Sequence, residues 1–375
     1  MFKLIAAFLL LPVIQAYDRA ACQRPDNKDI ATSCPPGTIV VGPSGKFKTI
    51  QSAILSLPLD NTPQTILIQA GTYTEQVNIT RPGPLTLLGV TSTPNSHTGN
   101  LAKVLWKQAT GTKETGTKDN AFTATLTVAP NLDAALTGSG PTGWAVPANT
   151  PFGNTDFRAY NIDFANDYKL DSAGPSLVVS LGFANAGFYL CGVRGWQDTV
   201  YIGKKANVYF YKGEIAGFTD FIYGFGTVWV QSAKIALRGC GGGITAWKGT
   251  DGVNKYGAYI VDSDVGKSEN SAAKVGKCAL GRPWNELHRS IFAKCKLDDS
   301  IGPAGYKKWL EKGESHITAK TMMAEFGNTG PGFDAAGRKS TNLSKLLSAA
   351  EYEPYSTVEK VFGNVTWIDK APETK

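Results

Sequence analysis

Histidine is nearly absent from this sequence: His97, His288 and His316 are the only three in 375 residues. Six cysteines are present, but no two stand as CxxC. With few imidazoles and no paired thiols, a zinc site is not expected. No GxSxG segment occurs, so the usual elbow for a serine nucleophile is missing. Long amphipathic helical periods are also scarce. After the first 16 residues no run is long and apolar enough to cross a bilayer.

The opening "MFKLIAAFLLLPVIQA" has one lysine, then an apolar stretch, then a small residue. It reads as a secretory leader cut after Ala16. Removing it takes away Lys3, and the formal charge falls from +7 to +6. The expected organisation is a leader at 1–16, an arm at 17–39, and one domain with a C-terminal tail over 40–375. Export makes disulfides expected. Cys22 and Cys34 are close enough in sequence to clip the arm, and the pairing of Cys191, Cys240, Cys278 and Cys295 is open. Sequons at Asn78, Asn342 and Asn364 are candidate glycosylation sites. The basic balance suits ordinary solubility or a polyanionic partner, either an acidic polysaccharide or nucleic acid. Charge alone favours neither.

Short apolar strands and turn residues fill the chain instead. Strand-like runs stand at 65–70, 85–90, 157–165, 176–183, 186–193, 207–215, 227–235 and 256–263. Helical spacing is expected only at 47–57, 304–313 and 342–352. The segments 91–120, 240–254 and 266–277 read as long loops on one face. The middle strands repeat: "FYLCG" from Phe188 matches "YFYKG" from Tyr209 at a step of 21, and Asp198 matches Asp220 at a step of 22. A period just above twenty, made of strands and tight turns, predicts a stacked β-solenoid. A β-sandwich would not need such constant spacing.

In a solenoid, residues one coil apart lie ~4.8 Å apart at the backbone. Asp198 and Asp220 would then face each other, and two close carboxyls cannot ionise independently. One protonated and one ionised carboxyl form a working acid and a working nucleophile or base. A doubled Asp is about as often a turn cap or structural ladder, but its setting favours chemistry. Gln197 adds an amide, and Trp196, Tyr201, Phe218 and Tyr223 crowd the same surface as a candidate sugar platform. Arg282, in "LGRPW", could hold one carboxylate ionised through a bidentate bond, although an isolated arginine is usually just a surface charge.

"GWQDTVY" (195–201), "GFTDFIYG" (217–224) and "LGRPW" (280–284), in that order, resemble the signature segments of pectin methylesterases. Supporting matches are "FKTIQSAI", "AGTYTEQV", "FRAYNIDFAND" and "EFGNTGPG", so the resemblance runs from about Val40 to Trp367. It implies an all-β, single-stranded, right-handed parallel β-helix with a few short flanking helices. It also implies hydrolysis of methyl esters of polygalacturonate without metal or cofactor. By the same resemblance Asp220 is the nucleophile and Asp198 the general acid/base. Arg282 orients the nucleophile, Gln197 is an oxyanion donor, and Trp284 contacts substrate. The expected partner is pectin (homogalacturonan), with no nucleic acid and no membrane, for a monomeric secreted enzyme. Two positions depart from the pattern: Pro175 stands where the family carries a second glutamine donor, and Tyr223 replaces a phenylalanine. Other readings are a silent pectin-binding homologue, a polygalacturonase or lyase on the same solenoid, and an esterase or thioesterase of other acyl groups.

Overall fold

Residues 17–113, 115–116, 118–138, 145–168, 174–249, 255–311 and 313–374 are described by the structure, a computed structural model. The leader-like segment 1–16 lies outside them. Strands form three long parallel sheets of eleven, eight and seven strands. Each coil adds one strand to each sheet in turn. Asn185–Tyr189, Gly192–Arg194 and Val200–Ile202 make one coil, and Asn207–Tyr211, Glu214–Gly217 and Ile222–Gly224 make the next. This is a parallel β-helix.

The corner between the eleven- and eight-stranded sheets explains why the expected strands were too long. A single residue in the left-handed region turns the chain there in successive coils: Asn161, Leu190, Lys212, Ser232, Asp262 and Lys294, with φ between 48° and 57°. Such a conformation costs roughly 1–2 kcal/mol for an L-residue. The stack offsets it, because corner amides bond to the next coil, as Leu190 N does to Tyr211 O at 2.8 Å and Lys212 N to Gln231 O at 3.1 Å. The apparent strands at 157–165, 186–193, 207–215 and 227–235 are therefore each two strands that belong to different sheets.

The register also corrects the repeat. Phe188 pairs with Phe210, not Tyr209, so the step is 22 in this part of the stack. A one-residue slip would turn every inward side chain outward. In the observed register Phe188 and Phe210 stack inside the coil, with ring centroids 4.7 Å apart. On the outer face of the eight-stranded sheet, Arg194 bonds Asp163 at 2.8 Å and Glu214 at 2.7 Å, and Lys234 bonds Glu214 at 3.1 Å. Opposite charges on neighbouring rungs favour this register over its alternatives.

Two expected loops contain strands: Ala102–Trp106 lies within 91–120 and Thr245–Trp247 within 240–254. A third, 266–277, begins on the end of the strand Asp264–Lys267. The helix Ile50–Leu55 lies inside 47–57, and the Glu75 carboxylate accepts its first amides, Ile50 N at 2.8 Å and Gln51 N at 2.9 Å. Segment 342–352 holds a two-residue strand and the helix Ala349–Tyr352. The described residues of segment 304–313 are not helical. Disulfides join Cys22 to Cys34 and Cys240 to Cys278, and Cys191 and Cys295 are buried thiols. The tail packs Tyr352, Trp367 and Ile368 against an aromatic row that includes Tyr160 and Tyr189.

The C-terminal end of the stack holds a fully buried ion pair. Arg338 Nε donates to Glu325 Oε1 at 2.8 Å, and its other nitrogens reach the carbonyls of Gly302, Pro303 and Gly332. Glu325 also accepts from Ser344 and Asn328. Removing one partner leaves an uncompensated charge in the interior. Glu325→Ala should therefore lower unfolding stability by about 3–5 kcal/mol, measured as a shift in urea midpoint. A loss below about 1 kcal/mol would mean that the neighbouring carbonyls alone satisfy Arg338.

Candidate active site

Asp198 and Asp220 sit on consecutive coils, at the turn that leads into the seven-stranded sheet. Both take left-handed backbone, with φ 61° and 47°, a conformation that aspartate tolerates better than most residues. Asp198 N donates to Thr219 O at 3.0 Å, and Asp220 N donates to Gly243 O at 2.8 Å. Gln197 bridges Thr219 in parallel register. The same coil-to-coil step therefore places Asp198 against Asp220. Their exposures are only 8% and 5%.

Arg282 arrives from the strand Gly281–Pro283, in register with Ala246 and through it with Tyr223. Its Nε lies 3.0 Å from Asp220 Oδ1 and 3.2 Å from Oδ2, and its Nη2 lies 2.5 Å from Oδ2. The approach needs a glycine at 242. A Cβ there would come within 2.3 Å of Asp220 Oδ1 and 2.7 Å of Arg282 Nε.

Burial raises both carboxyls, and Arg282 separates them. Burial pushes Asp198 well above the usual carboxylate range, and the Asp220 charge pushes the same way, against a weaker pull from Arg282. Burial raises Asp220 too, but the direct bonds from Arg282 and the charge of Lys307 oppose it. Asp198 is thus the carboxyl pushed further toward its protonated form, and Asp220 the one whose ionised form Arg282 supports.

The aromatic residues divide by burial. Tyr201 is 1% exposed, with its hydroxyl donating to Leu136 O at 3.0 Å, and Tyr223 is 3% exposed. Neither presents an open ring face, so both form the floor rather than the expected platform. The Tyr223 hydroxyl stands beside Asp198 and Asn120. Trp196, Phe218 and Trp284 are partly exposed. Trp196 stands 6.4 Å from Phe218, with Arg238 over its ring at 4.6 Å. Trp284 packs 5.2 Å from Phe225 and 5.8 Å from Tyr223. Pro175 lies one coil before this surface: its carbonyl accepts Thr110 N at 2.9 Å, and the next amide, Ser176 N, donates to Gln197 O at 3.1 Å.

Two residues at the site were hidden in segment 304–313. Trp309 covers the guanidinium of Arg282, with Cζ 3.8 Å from the ring centroid. Lys307 Nζ donates to Gly241 O at 2.6 Å. The apparent helix is an extended segment. Lys307 N bonds to Gly281 O on the neighbouring strand, and Leu310–Glu311 pairs antiparallel with Glu314–Ser315. The run Lys307-Lys308-Trp309, two cations directly before a Trp, was the only signal. A cavity of about 740 Å³ lies elsewhere, along Lys212, Lys234, Asp262, Asp264 and Lys296. Its mixed charge and lack of aromatic lining set it apart from the carboxylate pair.

Known proteins resemble this chain in sequence and in fold. The Pectinesterase family profile matches residues 150–364. A probable pectinesterase A of Aspergillus flavus is 30% identical over 308 residues, which cover 82% of this chain and 83% of that protein. The crystal structure of the pectin methylesterase from Aspergillus niger superposes with TM-score 0.72 at 26% identity, over 90% of this chain and 98% of that one. A crystal structure of pectin methylesterase in complex with a hexasaccharide superposes with TM-score 0.69 at 25% identity, over 88% and 98% of the two chains. Matched in profile over more than half its length and in structure over most of it, the chain belongs to the pectinesterase family.

Proposed function

We propose that this protein is a secreted esterase that removes methyl esters from polygalacturonate, giving methanol and pectate. The observation that carries the reading is the bidentate bond from Arg282 to Asp220 beside a buried Asp198 that no cation pairs among the described residues. Burial of a carboxylate is costly unless it is paired, and Arg282 pairs only one of the two. That asymmetry suits a nucleophile beside an acid. The hexasaccharide complex of a relative, and the partly exposed Trp196, Phe218 and Trp284, support a polysaccharide lying over the pair. The leader-like segment and the two disulfides support secretion.

The proposed steps balance as follows. An oxygen of the Asp220 carboxylate bonds to the ester carbonyl carbon, and the carbonyl electron pair moves to oxygen. The Gln197 amide donates to that oxyanion. Collapse breaks the carbon–methoxy bond, and Asp198 gives its proton to the departing oxygen, which leaves as methanol. The acyl group now sits on Asp220 as an anhydride. Ionised Asp198 takes a proton from water, whose oxygen attacks the anhydride and frees the Asp220 carboxylate. Arg282 holds Asp220 in line and Trp309 holds Arg282.

A weaker enzyme remains a second reading, because Pro175 offers no side-chain donor one coil before Gln197. One missing oxyanion donor costs about 10²–10³ in rate, which slows a catalyst without silencing it.

Methanol release from methylated pectin tests these roles. Asp220→Asn should lose at least ~10⁴-fold in kcat, Asp198→Asn about 10²–10⁴-fold, and Gln197→Ala about 10²–10³-fold. Release near the wild-type rate from either Asp variant would sink the assignment.

The pH dependence has a definite sign. kcat/KM should rise as Asp220 ionises and fall as Asp198 loses its proton, with both limbs above the ordinary carboxylate value. Protonated Asp198 also stabilises the fold relative to its ionised form. Because its folded value is raised, that contribution is complete below the unfolded value and disappears as pH rises through the folded one. Asp198→Asn should therefore gain in Tm over the wild type, increasingly so as pH climbs through this window. A Tm difference independent of pH, by calorimetry, would contradict the burial argument.

A further inference from the structure

The three sequons meet different surroundings in the fold. Asn78 is half-buried on the strand Val77–Ile79, in register with the buried Thr127. Asn342 is exposed, but the hydroxyl of its sequon, on Ser344, is committed to the buried carboxylate of Glu325. Asn364 is exposed in the tail, and its sequon ends in Thr366. Thr366 N and Thr366 Oγ1 both donate to Asn364 Oδ1, at 3.1 Å and 2.9 Å. The amide nitrogen, the atom that carries a sugar, is left with no bond among the described residues.

Of the three, Asn364 alone has an aromatic residue two places before it. Phe362 stands there, against Gln76 and Ser340 at the other two. The helix Val358–Phe362 ends on Gly363, at φ 75°, a conformation that glycine enters without strain. The Phe362 ring is only partly buried, and it meets Trp367 edge to face at 5.2 Å. Val365 is partly exposed as well. The chain on either side is pinned. Lys255 Nζ donates to Lys360 O at 2.8 Å on the helix. Beyond the buried Trp367 and Ile368, Asp369 N donates to Tyr189 Oη at 2.7 Å. Asn364 therefore stands beside a strip of apolar surface left open between two anchored ends.

A pyranose ring has an apolar face of C–H bonds, and laying it on an aromatic ring removes apolar surface from water. We propose that Asn364 carries an N-linked oligosaccharide whose first sugar packs on Phe362 and holds the tail over the aromatic row of the eleven-stranded sheet. This rests on the export part of the reading above, because the sugar donor, a lipid diphosphate-linked oligosaccharide, is met in the secretory lumen. In the transfer, Asn364 Nδ2 loses one proton and bonds to the anomeric carbon of the first sugar. The bond from that carbon to the phosphate oxygen breaks, and the lipid diphosphate leaves with the electron pair and takes up the proton. Transfer acts on the unfolded chain, so the fold must leave room for the sugar, and at Asn364 it does.

The full chain with its leader, expressed in a eukaryotic secretion host, provides the test. Mass mapping of the secreted protein should find N-acetylhexosamine and hexose on the peptide that holds Asn364, and Asn364→Gln should remove them. Asn364→Gln should also lower Tm by about 2–3 °C. Enzymatic trimming of the oligosaccharide to its first sugar should leave Tm unchanged. Phe362→Leu keeps the apolar contact with the tail and removes the ring face. In that background Asn364→Gln should move Tm by less than about 1 °C. A general solubilising effect of the sugar would act equally in both backgrounds. An unmodified Asn364 in the secreted protein, or an equal Tm loss in the two backgrounds, overturns this inference and leaves the esterase reading intact. Retention of the wild-type chain inside the cells overturns the export reading and the inference together.

Discussion

The main-chain bond between consecutive coils is the interaction on which everything else depends. Asp198 N to Thr219 O, at 3.0 Å, fixes which residue of one coil meets which residue of the next. The side chains follow, because strand geometry leaves them no other direction. Two carboxyls that would repel in free solution are brought together by a ladder that runs the length of the molecule. No single side-chain contact between them is needed. The ladder also carries the left-handed backbone at both aspartates, as it does at corners such as Leu190 and Lys212.

Holding two acidic groups in a nearly dry site works against stability, and the structure answers this unequally. Asp220 receives a guanidinium through bidentate bonds, and Asp198 receives none. Burial therefore favours the protonated form of the unpaired carboxyl, which lowers the cost of burying it. A second arginine on Asp198 would favour its ionised form instead. Trp309 closes the remaining face of Arg282, and a guanidinium is weakly hydrated enough to accept a ring at 3.8 Å. The ion pair at Glu325 and Arg338 is a useful contrast. There every donor and acceptor is matched, and both side chains are fully buried.

What the sequence made legible was whatever repeats. Short strands, the 22-residue spacing of Asp198 and Asp220, and the absence of long helical periods pointed to stacked coils. A guanidinium that could hold one carboxylate ionised was readable at Arg282, but only family resemblance favoured that over a plain surface arginine. The corners were illegible for a physical reason. Leu190, Lys212 and Lys294 have no special tolerance for left-handed backbone, and their conformation is imposed by bonds to the next coil rather than by composition. That is why pairs of strands read as one, and why Phe188 was matched to Tyr209 instead of Phe210. The strand Ala102–Trp106 was lost inside a long polar stretch for a related reason, since its partners are distant in sequence. Tyr201 and Tyr223 read as a platform only through their company with the polar pair, since aromatics in a strand are more often core; here they are core, covered by neighbouring segments that include Leu136.

Residues 304–313 show the limit most clearly. Tyr306, Trp309 and Leu310 have helical spacing, yet Lys307 bonds outward to Gly281 and not along a helix. The repeat cannot encode such a segment, because it belongs to one coil only. A division of labour follows from this. Chemistry that needs two like groups side by side can be written into the ladder, where any residue has a counterpart one coil away. A group needed once, such as the ring over Arg282, must come from an insertion that crosses the ladder. The carboxylate pair is therefore bound tightly to the fold, while such inserted groups are free to vary with loop length. Related chains should differ in these inserted groups well before they differ in the carboxylate pair.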